Sequence, residues 1–248
     1  MTEDRLILSR AEDALYLAEK NYQIKTVGFL NPHERSVLLK NIHKSADVQT
    51  FFEGGYADAE RTLFIAKPEF LEFDINQVIC VVKVFGRDLE TLTHRDYLGS
   101  LMGLGIKREN IGDILVNDTG AFIFAKCEIA EYIISNLEKI GRHGVKTQIC
   151  SVESADIPEP KTKEIVGTVS SLRLDAVVSQ STGLARGKAQ DIIKDGLVSL
   201  NWENVDTISK EIENGDLISV RGFGRMRVSE IGGITRKGRT FIKILKYE

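Results

Sequence analysis

Two cations and an amide recur every four residues in one stretch of the chain, as Arg186, Gln190 and Lys194. Side chains at this spacing share one edge of an α-helix. Such an edge can follow a phosphate backbone from one side, with Arg173 and Lys188 as flanking contacts. The row by itself fits phosphate binding and an ordinary solvated helix face equally well, so its meaning depends on the surrounding charge.

A second group of cations lies near the C-terminus. Between Arg221 and Tyr247 the chain carries eight Lys or Arg residues against Glu230 alone, a local charge of +7. Guanidinium groups on strands and turns beside glycines can approach phosphates closely, and Phe223 is available to stack on an unpaired base. The candidate RNA-binding residues of this segment are Arg221, Arg225, Arg227, Arg236, Lys237 and Arg239.

The net charge of -3 is distributed unevenly along the chain. Residues 1–164 hold 20 Lys and Arg against 26 Asp and Glu, whereas residues 165–248 hold 13 against 10. The two parts therefore carry −6 and +3, which favours a polyanionic partner for the second part. The acidic first part is a candidate surface for a protein partner.

Three further aromatic residues are candidates for base stacking. Phe122 and Phe124 share one face of a predicted strand, an arrangement typical of RRM domains, but the opposing strand offers no aromatic partner and core packing is the favoured interpretation. Trp202 is expected to shield one end of the C-terminal core, with stacking on a base as the alternative.

Two prolines and alternating charges interrupt the apolar periodicity and predict a linker at residues 156–165. Before it, the order strand, helix, strand, strand, helix, strand predicts an RRM- or ferredoxin-like βαββαβ middle domain at residues 76–155. We therefore expect an α+β protein, with a small α+β unit at residues 1–75 and a C-terminal domain at residues 166–248.

The flanking domains carry their own start and stop signals. An amphipathic helix with Leu6, Ala11, Leu15 and Ala18 opens the chain, and Asn31-Pro32-His33-Glu34 predicts the start of a second helix. The C-terminal domain is predicted to contain helices from Leu172 and over Arg186 to Asp195, a strand over Leu217 to Val220, and a basic β-hairpin closed near Gly232-Gly233 with a further turn at Lys237-Gly238.

Catalytic and metal-binding motifs are incomplete. His94-Arg95-Asp96 begins like a kinase catalytic loop, but Leu101 replaces its Asn, and Val37 replaces the second histidine of a zinc-protease helix. The three cysteines, Cys80, Cys127 and Cys150, are far apart and are predicted to be buried, reduced thiols. Because these motifs are incomplete, we expect no metal, no cofactor and no catalytic residue. No run of about 18 apolar residues occurs, so we expect a cytoplasmic protein without a membrane partner.

The C-terminal motifs resemble a known module, the S-four RNA-binding domain. The resemblance rests on Arg173-Leu-Asp, Gly183-Leu-Ala-Arg186-Gly-Lys188-Ala, the segment 193–201 and Asn214-Gly-Asp216. It covers about Leu172 to Val220 and implies that structured RNA binds there. With the basic hairpin, it favours RNA over solvent as the partner of Arg186 and Lys194.

Motifs elsewhere narrow the resemblance to the YlmH family of Gram-positive bacteria. They are Phe29-Leu-Asn-Pro32, Gly54-Gly-Tyr56 with Ala59-Glu-Arg61, His94 to Gly99 with Gly103-Leu-Gly105, and Ile111-Gly-Asp113. The resemblance implies an RRM-like RNA-binding middle domain and association with the large ribosomal subunit and tRNA. Arg95, Lys107 and Arg108 form a candidate second RNA surface, although solvated cations are the simpler interpretation.

We therefore expect a non-enzymatic protein that docks on rRNA or tRNA, associates with the large ribosomal subunit during rescue of stalled nascent-chain complexes, and has a link to cell division. Two alternatives stay open. One is an RNA-modifying enzyme whose C-terminal domain delivers the substrate, and the other is a protein-interaction adaptor that uses the acidic N-terminal part.

Overall fold

The computed structural model of the chain describes residues 3–43, 45–57, 59–155 and 162–247. Its contacts divide it into two compact units, Met1–Pro158 and Glu159–Glu248. Of the predicted linker, residues 156–161 lie outside the described residues, whereas residues 162–165 already belong to a strand. The predicted linker is therefore too long, because pairing with a distant strand overrides the local signal of charged residues.

The first part of the N-terminal unit packs two helices against a small sheet. Its elements are α1 (Glu3–Asn21), β1 (Lys25–Leu30), α2 (Pro32–Asn41), β2 (Val48–Glu53) and β3 (Thr62–Pro68). The antiparallel strands follow the order β1-β3-β2. At the start of α2 the Asn31 side chain accepts a hydrogen bond from the Glu34 N–H at 3.0 Å, and the Glu34 carboxylate accepts one from the Asn31 N–H at 2.7 Å. The predicted capping box is confirmed.

Two details of this part differ from the sequence predictions. Strand β1 was missed, because Gly28 weakens the strand signal of a short segment. The glycine is required by close packing, since a Cβ there would lie 2.6 Å from the carbonyl oxygen of Glu109. On α1, Ala11, Leu15 and Ala18 are buried as predicted, but Leu6 is exposed.

The second part of the N-terminal unit has the predicted βαββαβ order. Its elements are β4 (Ile79–Gly86), α3 (His94–Gly103), β5 (Ile111–Asn117), β6 (Gly120–Lys126), α4 (Cys127–Asn136), β7 (Lys139–Ile140) and β8 (His143–Cys150), with a short 3-10 helix (Arg108–Asn110) before β5. The antiparallel strands follow the order β5-β6-β4-β8-β7, and the short strand β7 is the one addition to the ferredoxin-like arrangement.

The sheet of this middle module is covered on both faces. Val82, Val84 and Ile123 point towards α3 and α4, whereas Phe122 and Phe124 point to the other face and pack against the sheet of β1, β2 and β3. Phe122 is 3% exposed and Phe124 is 0% exposed. Core packing of these two aromatic side chains, which was the favoured interpretation, is confirmed.

The cysteines overturn one prediction. Cys80 and Cys127 form a disulfide, with their Cα atoms 4.9 Å apart, while Cys150 is a free, half-buried thiol. The prediction of reduced thiols is wrong for the first two. A separation of 47 residues hides their contact in the sequence, but Cys80 pairs with Ala125 across β4 and β6, only two residues before Cys127.

The C-terminal unit packs two helices on one face of a six-stranded antiparallel sheet. Its elements are β9 (Thr162–Val169), α5 (Leu174–Thr182), α6 (Arg186–Lys194), β10 (Val198–Leu200), β11 (Glu203–Asn204), β12 (Leu217–Val220), β13 (Gly224–Ile234) and β14 (Thr240–Tyr247). The strands follow the order β11-β10-β12-β13-β14-β9. Val177, Val178 and Ile193 from the helices meet Val228 and Ile244 of the sheet in one core.

The basic hairpin exists but closes later than predicted. Gly232 and Gly233 lie inside β13, where the pairing register shifts between Ile231 and Ile234, and the chain reverses between β13 and β14. Two adjacent glycines were taken for a turn where they form a bulge. The hairpin is part of the central sheet of the C-terminal unit, because β14 pairs along its whole length with β9.

Among the described residues, no helix has the length and apolar character needed to cross a membrane.

Candidate nucleic-acid interface

A fully buried carboxylate organises the cations of the two C-terminal helices. Asp175, in the first turn of α5, accepts hydrogen bonds from Arg173 Nε at 3.3 Å, Gln190 Nε2 at 2.7 Å and Arg186 Nε at 3.0 Å. A second Arg186 nitrogen reaches the other carboxylate oxygen at 3.2 Å, so this contact is bidentate. The carboxylate therefore fixes two guanidinium groups next to each other.

The same contacts set the charge state of Asp175. Burial by itself raises the pKa of this carboxyl, but hydrogen bonds from Arg186, Gln190 and Arg173 outweigh burial and lower the pKa to about 2. In return, the carboxylate raises the pKa of Arg186. Asp175 and Arg186 are thus ionised at physiological pH, and the hydrogen bonds to Asp175 hold the guanidinium groups of Arg173 and Arg186 in a fixed geometry.

The predicted row on α6 is only partly available to a ligand. Gln190 and Arg186 share one edge of the helix as predicted, but both turn towards Asp175, so they are less available to a phosphate than Lys194. The guanidinium groups stay accessible on their outer sides, since the side chains of Arg173 and Arg186 are 40% and 45% exposed. Lys188 and Lys194 are exposed. We call Arg173, Arg186, Lys188 and Lys194 the helix-face cations.

The arginines of the basic hairpin occupy the opposite face of the sheet. Met226 and Val228 point into the core under the helices, so Arg225 and Arg227, which alternate with them on β13, point to the other side. We call this side the outer face. Arg227 donates to the Tyr247 hydroxyl at 3.1 Å and to the Gly215 carbonyl at 3.3 Å. The predicted RNA-binding residues therefore divide between two faces and do not form one surface.

The remaining predicted cations lie in turns. Arg221 is exposed between β12 and β13, and Arg236 and Lys237 are exposed where β13 turns into β14. Arg239, at the end of that turn, hydrogen-bonds the hydroxyl of Thr168 at 2.9 Å and also its carbonyl oxygen. Arg239 thus fastens the turn to β9, whereas Arg236 and Lys237 extend from the tip.

The candidate second surface on the middle module is reduced to two residues. Arg95 and Lys107 are exposed, but Arg108 is half-buried and donates to the carbonyl oxygens of Ile111 and Gly112. Burial, followed by the nearby charge of Arg61, lowers the pKa of Arg108 to about 10. Arg108 is therefore a structural residue that tethers the start of β5.

Two sequence features next to these cations have structural roles. Asp96, in the His94-Arg95-Asp96 motif, accepts hydrogen bonds from the Thr93 N–H and hydroxyl, both at 2.7 Å, and so caps α3. Asp113 accepts from the Tyr56 hydroxyl at 2.7 Å and from the backbone N–H groups of Glu60 and Arg61 at 2.7 and 3.2 Å. Asp113 thereby connects the middle module to the loop before β3.

Comparisons with known proteins identify the domains that carry these residues. Three family models match consecutive parts of the chain: the YlmH N-terminal model at residues 3–70, the model described as "Putative RNA-binding domain in YlmH" at 68–154, and the S4 domain at 172–218. A curated relative from Bacillus subtilis (strain 168), "Ribosome-associated protein quality control protein P2", is 33% identical over 240 residues, which cover 96% of this chain and 93% of the relative.

The chain belongs to the YlmH family. Among solved structures, it is similar to "Cell division protein ylmH from Streptococcus pneumoniae", with 27% identity and a TM-score of 0.50 over 63% of this chain and 96% of that one. The family and the S-four domain expected from the sequence motifs are confirmed, and so is the α+β fold.

The S4 domain match of this YlmH-family chain includes some of the candidate cations and leaves out others. It contains the helix-face cations together with Asp175, and it ends at residue 218, before Arg225 and Arg227. Sequence reasoning missed Asp175 as the centre of the helix face. Its signal was an acidic second residue in a helix whose neighbouring residues are apolar, because a carboxylate buried at such a position needs hydrogen-bond partners.

Proposed function

We propose that this YlmH-family chain is a non-catalytic RNA-binding protein that docks on structured rRNA or tRNA of the large ribosomal subunit. It acts in translation quality control, on subunits stalled with a nascent chain. The RNA-binding and S4 domain matches and the name of the B. subtilis relative support the proposal. The name of the S. pneumoniae neighbour supports a further link to cell division.

The observation that carries the proposal is the fixed pair of guanidinium groups on α5 and α6. Because Asp175 holds Arg173 and Arg186 in place, little side-chain entropy is lost when they contact phosphates. Lys188 and Lys194 add two mobile charges beside this pair. A rigid pair with flanking point charges suits the regular phosphate spacing of a folded RNA.

The division into domains suggests that the chain contacts both RNA and a protein. We propose that residues 166–248 grip the RNA, that residues 76–155 contribute Arg95 and Lys107 to a second contact, and that the acidic residues of 1–75 face a protein partner. The middle module then binds RNA through its helix side, since its aromatic sheet face is occupied by the N-terminal sheet.

The experiment that tests docking is sucrose-gradient co-sedimentation with ribosomal subunits. The informative variant is Lys188→Glu/Lys194→Glu, because both lysines are exposed and lie outside the hydrogen bonds of Asp175. A glutamate at position 186 would face Asp175 and disturb the fold instead. The control is Lys20→Glu/Lys146→Glu, which changes the charge equally at exposed positions of the N-terminal unit.

The proposal predicts that the native chain and the control travel with the large subunit and that the helix-face variant stays at the top. A native chain that neutralises about 6 phosphates should show a salt slope near −5 on duplex RNA, and the variant should lose about 2 units of it. Docking by the helix face is rejected if the two variants co-sediment equally with the large subunit, or if RNA binding does not depend on the salt concentration.

Mass mapping of rRNA and tRNA from a deletion strain separates the proposal from an RNA-modifying enzyme. The proposal requires that no modification disappears. A modification that is lost in the deletion strain and restored by the native chain would make the protein an enzyme.

A further inference from the structure

Trp202 and Arg225 form a stacked cluster on the outer face of the C-terminal sheet. The Arg225 guanidinium lies 5.6 Å from the Trp202 ring centre and 5.5 Å from the ring centre of Tyr247. Trp202 sits in the turn between β10 and β11, while Tyr247 ends β14. Residues from three distant parts of the unit thus build one aromatic and cationic surface.

The backbone under Trp202 is held in an unfavourable conformation. Asn201 and Trp202 have φ values of 48° and 70°, which the two-residue turn between β10 and β11 requires; Asn tolerates this left-handed region, but a bulky residue such as Trp adopts it at a cost. The Asn201 side chain fixes this turn, because it donates to Asp216 at 2.7 Å and accepts from the Leu217 N–H at 3.0 Å. Such strain persists where the surroundings over-determine it, often at binding sites.

Core packing does not explain the position of Trp202. Among the described residues, Trp202 is not one of the side chains that pack against the C-terminal core, whereas Phe223 is. Phe223, which the sequence left available for stacking on a base, therefore packs against the core, whereas Trp202, for which core shielding was the favoured interpretation, does not. The half-buried indole of Trp202 instead presents part of its surface to solvent.

The surroundings of the cluster favour a nucleic acid over an apolar partner. Arg221 is exposed close to β13, and Arg227 follows Arg225 on the outer face. The segment from Arg221 to Tyr247 carries a local charge of +7. An aromatic ring within a field of arginines is the arrangement that binds unpaired bases, with stacking on the ring and phosphates beside the cations.

We propose that the outer face binds an unpaired nucleotide of RNA, whose base stacks on Trp202 and whose phosphate lies near Arg225 and Arg221. This site is distinct from the helix face, because the helices cover the other side of the same sheet. The proposal rests on RNA binding by the chain and adds a second, single-stranded element to the RNA that it recognises.

The test uses Trp202 itself, which is the only tryptophan of the chain. One RNA probe is a blunt-ended hairpin, and the other is the same hairpin with a short single-stranded overhang. The overhang should quench the Trp202 fluorescence and tighten binding roughly ten-fold, as measured by anisotropy of labelled RNA. The blunt hairpin should bind through the helix face and leave the fluorescence nearly unchanged.

Variants assign the effect to the indole. Trp202→Ala should bind both hairpins with the affinity of the blunt one, while Trp202→Phe should keep most of the advantage of the overhang. The matched control is Tyr16→Ala, since Tyr16 is also exposed and has a cation, Lys20, 5.3 Å from its ring centre. This variant should behave as the native chain.

The outcomes separate the two proposals. If the native chain binds neither hairpin, RNA docking itself fails. If it binds both equally and the fluorescence does not change, the outer-face site is rejected while docking by the helix face stands. A Trp202 that is quenched by a protein of the ribosomal subunit and not by the overhang would make this face a protein contact and would also reject the proposal.

Discussion

The middle module and the C-terminal unit each place helices on one face of an antiparallel sheet and aromatic residues on the other. In the middle module, Phe122 and Phe124 are sealed beneath a second sheet. In the C-terminal unit the corresponding outer face carries Arg225, Arg227 and Tyr247, and its Val166 is 55% exposed. Aromatic residues on a strand therefore do not by themselves mark a binding platform.

The difference has a physical cause that is visible in the neighbouring residues. Phe122 and Phe124 alternate with apolar residues that face the helices, so β6 is apolar on both sides and can be buried only between two layers. Strand β13 alternates apolar residues with Arg225 and Arg227, whose desolvation would be costly. The apolar pattern of β6 therefore requires a second layer on its outer side, whereas the arginines of β13 exclude an apolar layer there.

The largest expected effect comes from opening the covered face. Phe124→Ala should lower the free energy of unfolding by about 3 to 5 kcal/mol, because it leaves a cavity in the core between the two sheets. Urea denaturation followed by far-UV circular dichroism measures this loss. The transition followed by Trp202 fluorescence, which reports on the C-terminal unit, should shift less; equal shifts would contradict the division into two units.

Acid should weaken the C-terminal unit through Asp175. Its pKa in the folded chain is lowered to about 2 from an ordinary value near 3.8, so its stabilising effect is present above pH 4 and is lost as the pH falls from 4 towards 2. The loss should reach about 2 kcal/mol. Urea midpoints measured between pH 2 and 7 by Trp202 fluorescence check the prediction.

Asp175→Asn provides the control for this pH dependence. The variant should be less stable than the native chain at pH 7 by about 2 kcal/mol, because the amide keeps one acceptor oxygen, loses the negative charge and turns an NH2 donor towards the groups that donate to the second carboxylate oxygen. The difference between the two proteins should shrink as the pH approaches 2. A constant difference over this range would mean that Asp175 does not titrate as described.

Replacing Asp113 should lower stability by a smaller amount, and this loss should appear in the N-terminal unit. Its carboxylate receives a hydroxyl and two backbone N–H groups, so Asp113→Asn should cost about 1 to 2 kcal/mol in the N-terminal unit. Circular dichroism during urea denaturation measures this cost. Tyr56→Phe removes one of these hydrogen bonds and should lose about half as much. RNA binding by the helix face should be the same in both variants as in the native chain.

Local signals were sufficient for most of the fold. The capping box at Asn31 and the alternation of strands and helices in the middle module depend on neighbours in sequence, and both are present. Strand β1, the pairing of β9 with β14 and the disulfide of Cys80 depend on contacts between distant residues. No local pattern encodes these contacts, so they were missed or mispredicted.

The candidate site also depends on contacts between distant residues that the sequence alone does not reveal. Residue types and spacing identified the basic residues, but not the faces to which they belong, because α6 and β13 pack on the same core from different elements. Arg186 and Gln190 were predicted as ligand contacts without their buried partner Asp175. Conversely, the strained turn that holds Trp202 has no signature in the sequence.

The smallest expected effects on stability concern Trp202, and they bear most directly on the comparison of the two sheets. Trp202→Ala loses the contact with Arg225 and should cost only about 1 kcal/mol. Trp202→Gly loses the same contact but relieves the left-handed backbone, which offsets about 1 kcal/mol, so its net change should be near zero. Urea denaturation followed by circular dichroism measures both. A loss as large as that of Phe124→Ala would make Trp202 a core residue and remove the contrast between a covered and an open aromatic face.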